Sequence, residues 1–365
     1  MPKIDALFPR AALDEAISSG HVRVQTHPDL PLSIYNYTEK AAYDGVWNEV
    51  TLQCRGLIVN DDGDVVARPF RKFFNYGQAG APELDLDARV VVTDKLDGSL
   101  GILYPMPDGH AMATRVSFTS DQALHATKVW NERYEDSWSI YLDGVATYLF
   151  EIVYPENRIV VNYGKFDDLI LLGALNNETG KPDGESQNLL DQWFGPCADI
   201  FDYSTLAEAL EAEPRPNAEG YVIYFPDHDE RLKIKQEDYV ALHRIVTGLN
   251  ARTVWEHLCA GLPIEDLIAP LPDEFHEWVR GIEGDLTQGV NDRKWEINYA
   301  YENLLRGLGP DFSRKDFAMA AKEREDSWAM FSLLDGRDIV PELWKRAKPA
   351  AFLTPVGHAF SEDTA

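Results

Sequence analysis

Lys95 sits in Thr93-Asp94-Lys95-Leu96-Asp97-Gly98-Ser99, between the β-branched run Arg89–Val92 and the apolar run Leu100–Tyr104, which Pro105 closes. That pattern predicts strand, turn, strand, with Lys95 on the connection and Gly98 allowing a tight backbone path beside it. A lysine amine, with an ordinary pKa of about 10.4, is a poor nucleophile at neutral pH. It becomes a good one only where it is desolvated or set among other cations. Lys-x-Asp-Gly by itself also fits an ordinary polar turn, because Asp-Gly is a favoured turn pair. The reading therefore depends on what partners the rest of the chain supplies.

Four stretches supply them. Tyr148–Tyr154 is apolar except for Glu151, which side-chain alternation sends either to solvent or into a cleft. Glu219 opens the strand-like run Glu219–Phe225. In Arg231-Leu232-Lys233-Ile234-Lys235 a period of two puts both lysines on one face, opposite Leu232 and Ile234. That face is either a phosphate grip or an edge strand guarded by lysines. Arg71-Lys72-Phe73-Phe74-Asn75-Tyr76 sets cations beside aromatics, as a phosphate or stacked-base contact needs and as an aromatic core pair with surface charges also shows. Together these residues answer one problem, attack of a lysine amine on the α-phosphate of ATP. Cations hold the phosphates and offset the charge of the transition state, while acids hold a metal ion or the ribose.

The elements that must position them read as a mixed fold. A helix is predicted over Ala11–Ser19, and strand-like sequence with proline breaks over Val22–Tyr37. Leu52–Val59 and Val65–Ala67 make a hairpin about Asn60–Gly63. Further strands are predicted over Ala113–Phe118, which contains Arg115, over Arg158–Tyr163 and over Leu169–Leu175; a helix over Ser120–Tyr134 separates the first two. Leu189–Ala212 reads as helical or irregular. From Asp238 onward the spacings are helical: Leu242/Ile245/Leu249, Phe275/Trp278/Val279/Ile282, Ile297/Tyr301/Leu304 and Trp328/Phe331/Leu334. Trp255, Trp278, Trp295 and Trp328 are expected in the core of that part, and the tail after Phe360 is expected to fray. The fold class is α+β, with domains over residues 1–245 and 246–365, the second all-helical.

Composition narrows the classes. With 45% apolar and 11% aromatic residues over 365 positions, the chain can bury a sizeable core. Cys54, Cys197 and Cys259 form no CxxC pair, so neither a disulfide framework nor a zinc site is expected. No HExxH or GxxxxGK[ST] occurs, which leaves no zincin site and no P-loop. No run has signal-peptide or membrane-spanning character, so a soluble, cytoplasmic protein without a membrane partner is expected. The formal net charge of −27 argues against a broad nucleic-acid-binding face. Charge acts locally within about 8–10 Å, however, so an acidic body carrying one cationic cleft remains compatible.

The motifs resemble those of the covalent nucleotidyltransferase superfamily, and specifically the T4-type RNA ligase 1 family. Lys95-Leu96-Asp97-Gly98-Ser99 is similar to the adenylylated-lysine motif; Arg55-Gly56 and Lys72-Phe73-Phe74-Asn75 are similar to elements that DNA ligases lack in that order. Phe150-Glu151-Ile152-Val153 with Asn157–Val161, Glu219-Gly220-Tyr221-Val222, and Lys233-Ile234-Lys235 supply the third, fourth and fifth motifs. The resemblance implies a nucleotidyltransferase domain of ATP-grasp-like antiparallel sheets with helices, followed by a helical domain concerned with substrate choice. It implies ATP with Mg²⁺ or Mn²⁺, and AMP carried covalently on Lys95. Tyr37, Arg55 and Lys72 would contact ATP, the two cations toward its β and γ phosphates. Arg115 stands where the family has a lysine. Glu151 would hold the ribose or order the site, Glu219 would act on the metal through water, and Lys233 and Lys235 would grip the α-phosphate. The implied partner is RNA with 5′-phosphate and 3′-hydroxyl ends, single-stranded or tRNA, in repair; oligomeric state is not legible. DNA ligases, mRNA capping enzymes and end-binding proteins on the same fold stay open as alternatives. The first two normally add a barrel of strands, where this chain reads as helix.

Overall fold

The computed structural model describes residues 1–142, 144–182, 193–240, 248–268, 271, 273–322, 324 and 326–349, and these fall into two compact units, one within Met1–His243 and one within Arg244–Pro355. The strands of the first unit, in chain order, are β1 (Val22–Thr26), β2 (Leu32–Tyr37), β3 (Arg55–Asn60), β4 (Val65–Ala67), β5 (Phe74–Asn75), β6 (Val91–Lys95), β7 (Ser99–Met106), β8 (Gly109–Ala113), β9 (Ala146–Val153), β10 (Asp168–Asn176), β11 (Ile200–Phe201), β12 (Gly220–Phe225) and β13 (Glu230–Lys235). They form three sheets, ordered β1-β2-β3-β4, β10-β9-β7-β8 and β11-β6-β12-β13-β5, antiparallel throughout except where β13 meets β5. Lys95 ends β6 in the third sheet and Ser99 begins β7 in the second. The Lys95–Ser99 turn is therefore the crossing from one sheet to another.

Alternation builds the cores. Ile34, Ile58 and Ala67 of the first sheet pack on Ile102, Ala113 and Leu149 of the second. A helix over Asp121–Arg133, capped by Ser120 accepting from the Ala123 N–H, buries Ala126, Val129 and Trp130 against Phe150, Ile152 and Leu171. The third sheet turns Val92, Tyr221, Ile223 and Leu232 inward against Leu206 and Ala209 of a short helix over Leu206–Leu210. Its other face is left to line a cavity.

Several sequence expectations need correction. Lys95 is a strand residue and not a loop residue, because Gly220 of β12 pairs with it and extends the ladder that far. Residues Arg89 and Val90 precede the strand. β7 runs through Pro105, which is tolerated because β9 pairs with β7 only over Ser99–Ile102 and asks no N–H of residue 105. Leu52 and Gln53 belong to a helix over Glu49–Gln53 that Asn48 caps, so β3 starts later than expected. β8 stops at Ala113, where a turn closed between Thr114 and Ser117 carries Arg115 out of the sheet. Arg158–Tyr163 is no strand: the Val160 and Val161 N–H groups go to the Asp97 carboxylate, and that of Asn162 to the Asn217 side chain. β13 is not an edge, since β12 and β5 flank it. Leu242, Ile245, part of Leu189–Ala212 and the tail after Phe360 lie outside the described residues.

The second unit, among its described residues, contains helices and no strand: Ala251–Cys259, Ile264–Ile268, Asp273–Leu308, Arg314–Ala321, Ser327–Leu334 and Val340–Arg346. Its core gathers Val290, Ile297, Leu304, Phe317, Met330 and Leu343. The Trp255 indole donates to the Trp344 carbonyl at 2.7 Å, and Trp328 packs against the core. Trp295 departs from expectation. It is 67% exposed and stacks on exposed Tyr299 at 5.5 Å, because it sits on the outer face of the long helix, one turn from Tyr299. No helix among the described residues is long and apolar enough to cross a membrane.

Candidate active site

The third sheet's open face is the floor of a cavity of about 1460 Å³. Strand register sets it out in rows. Gly220 faces Lys95 on one side and Lys235 on the other; Val222 faces Thr93 and Lys233; Tyr224 faces Val91 and Arg231. All but Gly220 line the cavity, as do Arg55, Arg115, Glu151 and Glu219. The lysine alternation read from β13 thus has its partners on β6 and β12.

The first row carries the chemistry. Glu219, just ahead of Gly220, has its side chain only 4% exposed, and its Oε1 lies 2.7 Å from Lys95 Nζ and 3.1 Å from Lys235 Nζ. One buried carboxylate oxygen is thus shared by two ammonium groups. Gly220 makes the row possible: at φ 151° it occupies a backbone region closed to side chains, and a methyl there would stand 1.9 Å from the Ile234 carbonyl oxygen. Any other residue at 220 would push β13, and with it Lys235, away from Lys95.

The turn after Lys95 is pinned from three sides. Asp97 is buried; its Oδ2 accepts from the Val160 and Val161 N–H groups at 2.7 Å each, and its Oδ1 from the Tyr239 hydroxyl at 2.8 Å. Burial pushes its pKa up, with nearby Glu219 adding to the push, and the three donors oppose it. Hydrogen bonds to a charged group contribute about 1.5–3 kcal/mol each, and here they temper the upward push without reversing it. The Asp97 N–H donates to the Tyr163 hydroxyl at 2.8 Å, and the Gly98 N–H to Glu151 Oε1 at 2.9 Å. Glu151 therefore orders the turn directly.

A sequence model described as "RNA ligase" matches residues 53–239, just over half of the chain. The chain belongs to the RNA ligase family. It is 27% identical over 277 residues to a protein of Autographa californica nuclear polyhedrosis virus described as a bifunctional polynucleotide kinase/RNA ligase, covering 69% of this chain but only 39% of that one. With the RNA ligase of Rhodothermus phage RM378 it shares 23% identity over 381 residues, 84% of this chain and 85% of that protein. A solved structure of Naegleria gruberi RNA ligase with ATP and manganese is 19% identical and overlaps 44% of this chain and 52% of that one, at a TM-score of 0.36.

Within this RNA ligase fold the residues expected at the site divide. Lys95, Glu219, Lys233, Lys235, Glu151, Arg55 and Arg115 line one cavity. Tyr37 and Lys72 are not among the lining residues. Lys72 is 8% exposed, with Nζ 5.3–5.5 Å from the ring centres of Tyr37, Trp47 and Phe74. The Tyr37 hydroxyl accepts from Arg115 at 2.9 Å and so supports a cavity residue from behind. The cleft is also less uniformly cationic than expected: Asp121, Glu156 and Asp167 line it too, and β13 supplies Arg231, Lys233 and Lys235 while Arg55, Lys95 and Arg115 come from elsewhere. Sequence reading missed Tyr239, whose ring lies under Lys235 at 5.2 Å, and the anchoring by Asp97 and Tyr163. Asp97 lies inside the lysine motif; Tyr239 follows the end of β13 by four residues and carries no other signal.

Gly98 is needed for space and not for an unusual φ. A methyl there would lie 2.6 Å from the Ile152 carbonyl oxygen and 3.0 Å from Glu151 Cγ. Gly98→Ala should therefore displace the turn, costing about 1–3 kcal/mol of stability and slowing covalent labelling by ATP about tenfold or more. Thermal melting together with labelling rates measures both.

Proposed function

We propose that this chain is an ATP-dependent RNA ligase that joins a 5′-phosphate end to a 3′-hydroxyl end. The observation carrying the proposal is the first row of the cavity floor, Lys95 and Lys235 on either side of Glu219 Oε1. The cavity exceeds the roughly 300–1,000 Å³ usual for small-molecule sites, which leaves room for a polynucleotide end beside a nucleotide. In the first step Lys95 Nζ attacks the α-phosphorus of ATP. The N–P bond forms as the bond to the bridging oxygen breaks, and pyrophosphate leaves with that electron pair. The amine must shed protons to attack, and Glu219 Oε1 is an acceptor already in contact with it. Lys233 and Lys235 offset the charge gathering on the α-phosphate. AMP then passes from Lys95 to the 5′-phosphate of the RNA, and the 3′-hydroxyl displaces it.

The residues fit Mg²⁺ or Mn²⁺ in one particular way. Among the described residues no cluster of three or more His, Cys, Asp or Glu side chains can hold a metal. A single carboxylate beside substrate phosphates, with water completing the shell, is what Mg²⁺ usually takes, and Glu219 supplies it. Bound there, the metal would neutralise phosphate charge. We read the sheets about the cavity as the ATP-grasp-like nucleotidyltransferase module and the helical unit as the part that selects RNA. The absence of strands among the described residues of that unit favours this over a DNA ligase or capping enzyme with a terminal barrel. The protein is expected to act in the cytoplasm.

The test offers 5′-phosphorylated single-stranded RNA, broken tRNA stem-loops, nicked duplex RNA and matching DNA, with ATP or GTP. ATP-dependent sealing of RNA ends supports the proposal. Sealing of DNA alone, or labelling by GTP alone, contradicts it.

A further inference from the structure

The third row of the cavity floor holds a cation that the reaction described above does not use. Arg231 shares its face of β13 with Lys233 and Lys235, two and four residues on, and lines the same cavity. Its guanidinium is clamped between two rings, with Cζ 4.6 Å from the centre of Phe70 and 4.3 Å from that of Tyr224, its cross-strand partner. Nearby Asp229 and Glu230 favour its charge through space, but their hydrogen bonds and ion pairs go to others: Asp229 accepts from the Tyr224 hydroxyl at 3.2 Å and faces Lys181 at 3.9 Å, and Glu230 pairs with Arg71. Among the described residues no side-chain or backbone acceptor hydrogen-bonds the Arg231 guanidinium. Burial pulls its pKa down to about 10, which still leaves it charged at neutral pH. Its planar set of donors is held in place by stacking, with its hydrogen bonds still to be made.

Phe70 ties this cation to a second one. The Phe70 carbonyl accepts from Arg55 Nη1 at 3.5 Å, and Phe73 lies between Arg55 and Lys233, 5.6 and 5.7 Å from them. Arg55 and Arg231 thus stand on the two ends of one anchoring residue. Attack on phosphorus is roughly in line, so the leaving group departs on the side away from the nucleophile. Lys95 occupies the first row. Arg231, two rows away and about 13 Å along β13 from Lys235, occupies the third.

We propose that Arg231, together with Arg55, holds the terminal phosphates of ATP and the pyrophosphate that leaves. This rests on the ligase reading and names a further residue for its first step. A group serving only that step acts on adenylylation and on its reversal by pyrophosphate. It has no part in sealing RNA that already carries AMP.

The full chain and its Arg231→Gln and Arg231→Lys variants are compared in three assays: lysyl-AMP formation against ATP concentration, removal of AMP from the adenylylated protein by pyrophosphate, and sealing of chemically 5′-adenylylated RNA. Arg231→Gln should raise the ATP needed for half-maximal labelling about tenfold or more and slow pyrophosphate-driven removal comparably, with Arg231→Lys between it and the native chain. Sealing of adenylylated RNA should change less than about twofold. Equal losses in all three assays would mean that Arg231 grips the polynucleotide, and no loss in any would mean that it only stacks; either overturns the proposal. Should Arg231→Gln not fold, the native chain gives an independent answer: pyrophosphate should shield Arg231 from an arginine-directed dicarbonyl, as mapped by peptide mass, and unchanged modification overturns the proposal. Failure of the native chain to form lysyl-AMP would sink the ligase reading itself, an outcome separate from all of these.

Discussion

Lys95→Ala should abolish covalent labelling by ATP and lower ATP-dependent sealing by at least about a thousandfold, while the variant still seals RNA supplied with a 5′-adenylate. The first half follows from removing the only atom proposed to bond to phosphorus. The second follows from the floor of the cavity. Lys233, Lys235 and Glu219 sit on β13 and just ahead of β12, and Lys95 is not needed to hold the strands in register, since the Lys95–Gly220 pairing is made by backbone. The last step needs those groups and not the amine, so its rate should fall by no more than about tenfold. A gel resolving labelled protein from sealed RNA reads both. Loss of the last step as well would mean that Lys95 works mainly by holding the site together.

Glu219→Ala carries the second large effect, and on two observables. Glu219 is 3% exposed, and its loss leaves Lys95 and Lys235, with side chains 15% and 18% exposed, facing each other without their shared acid. Removing one partner of a buried ion pair costs about 3–5 kcal/mol; here the lysines reach some solvent, so about 1–3 kcal/mol of stability is expected. Labelling by ATP should fall by about a hundredfold or more, since the acceptor next to the amine and the proposed metal contact go together. Glu219→Gln keeps the volume and one acceptor oxygen. It should recover much of the stability and little of the labelling. Equal recovery of both would assign Glu219 a structural role only.

What could be read from sequence was what is local along the chain. The period of two in β13 placed Lys233 and Lys235 on one face, and that face is the cavity floor. The same alternation includes Arg231, whose significance depends on Phe70 and Tyr224, which only the fold brings to it. The helix over Asp121–Arg133 was legible from Ser120 and its apolar spacing. Contacts between distant residues were not. Asp97 consumes the N–H groups of Val160 and Val161, some sixty positions later, and so turns a β-branched run into a loop. Lys72 sits beside aromatics in sequence, and only the fold shows that three rings close around it. Trp295 looked like core because helical spacing says which residues share a face, but not whether that face is covered.

The most direct measurement is to incubate the native chain with ATP and a divalent metal, digest it under conditions that keep phosphoramide bonds, and locate AMP by tandem mass spectrometry. The proposed reaction predicts one adduct, on Lys95, formed with release of one pyrophosphate per chain. AMP on another residue, or none on a protein that nonetheless seals RNA, would contradict it.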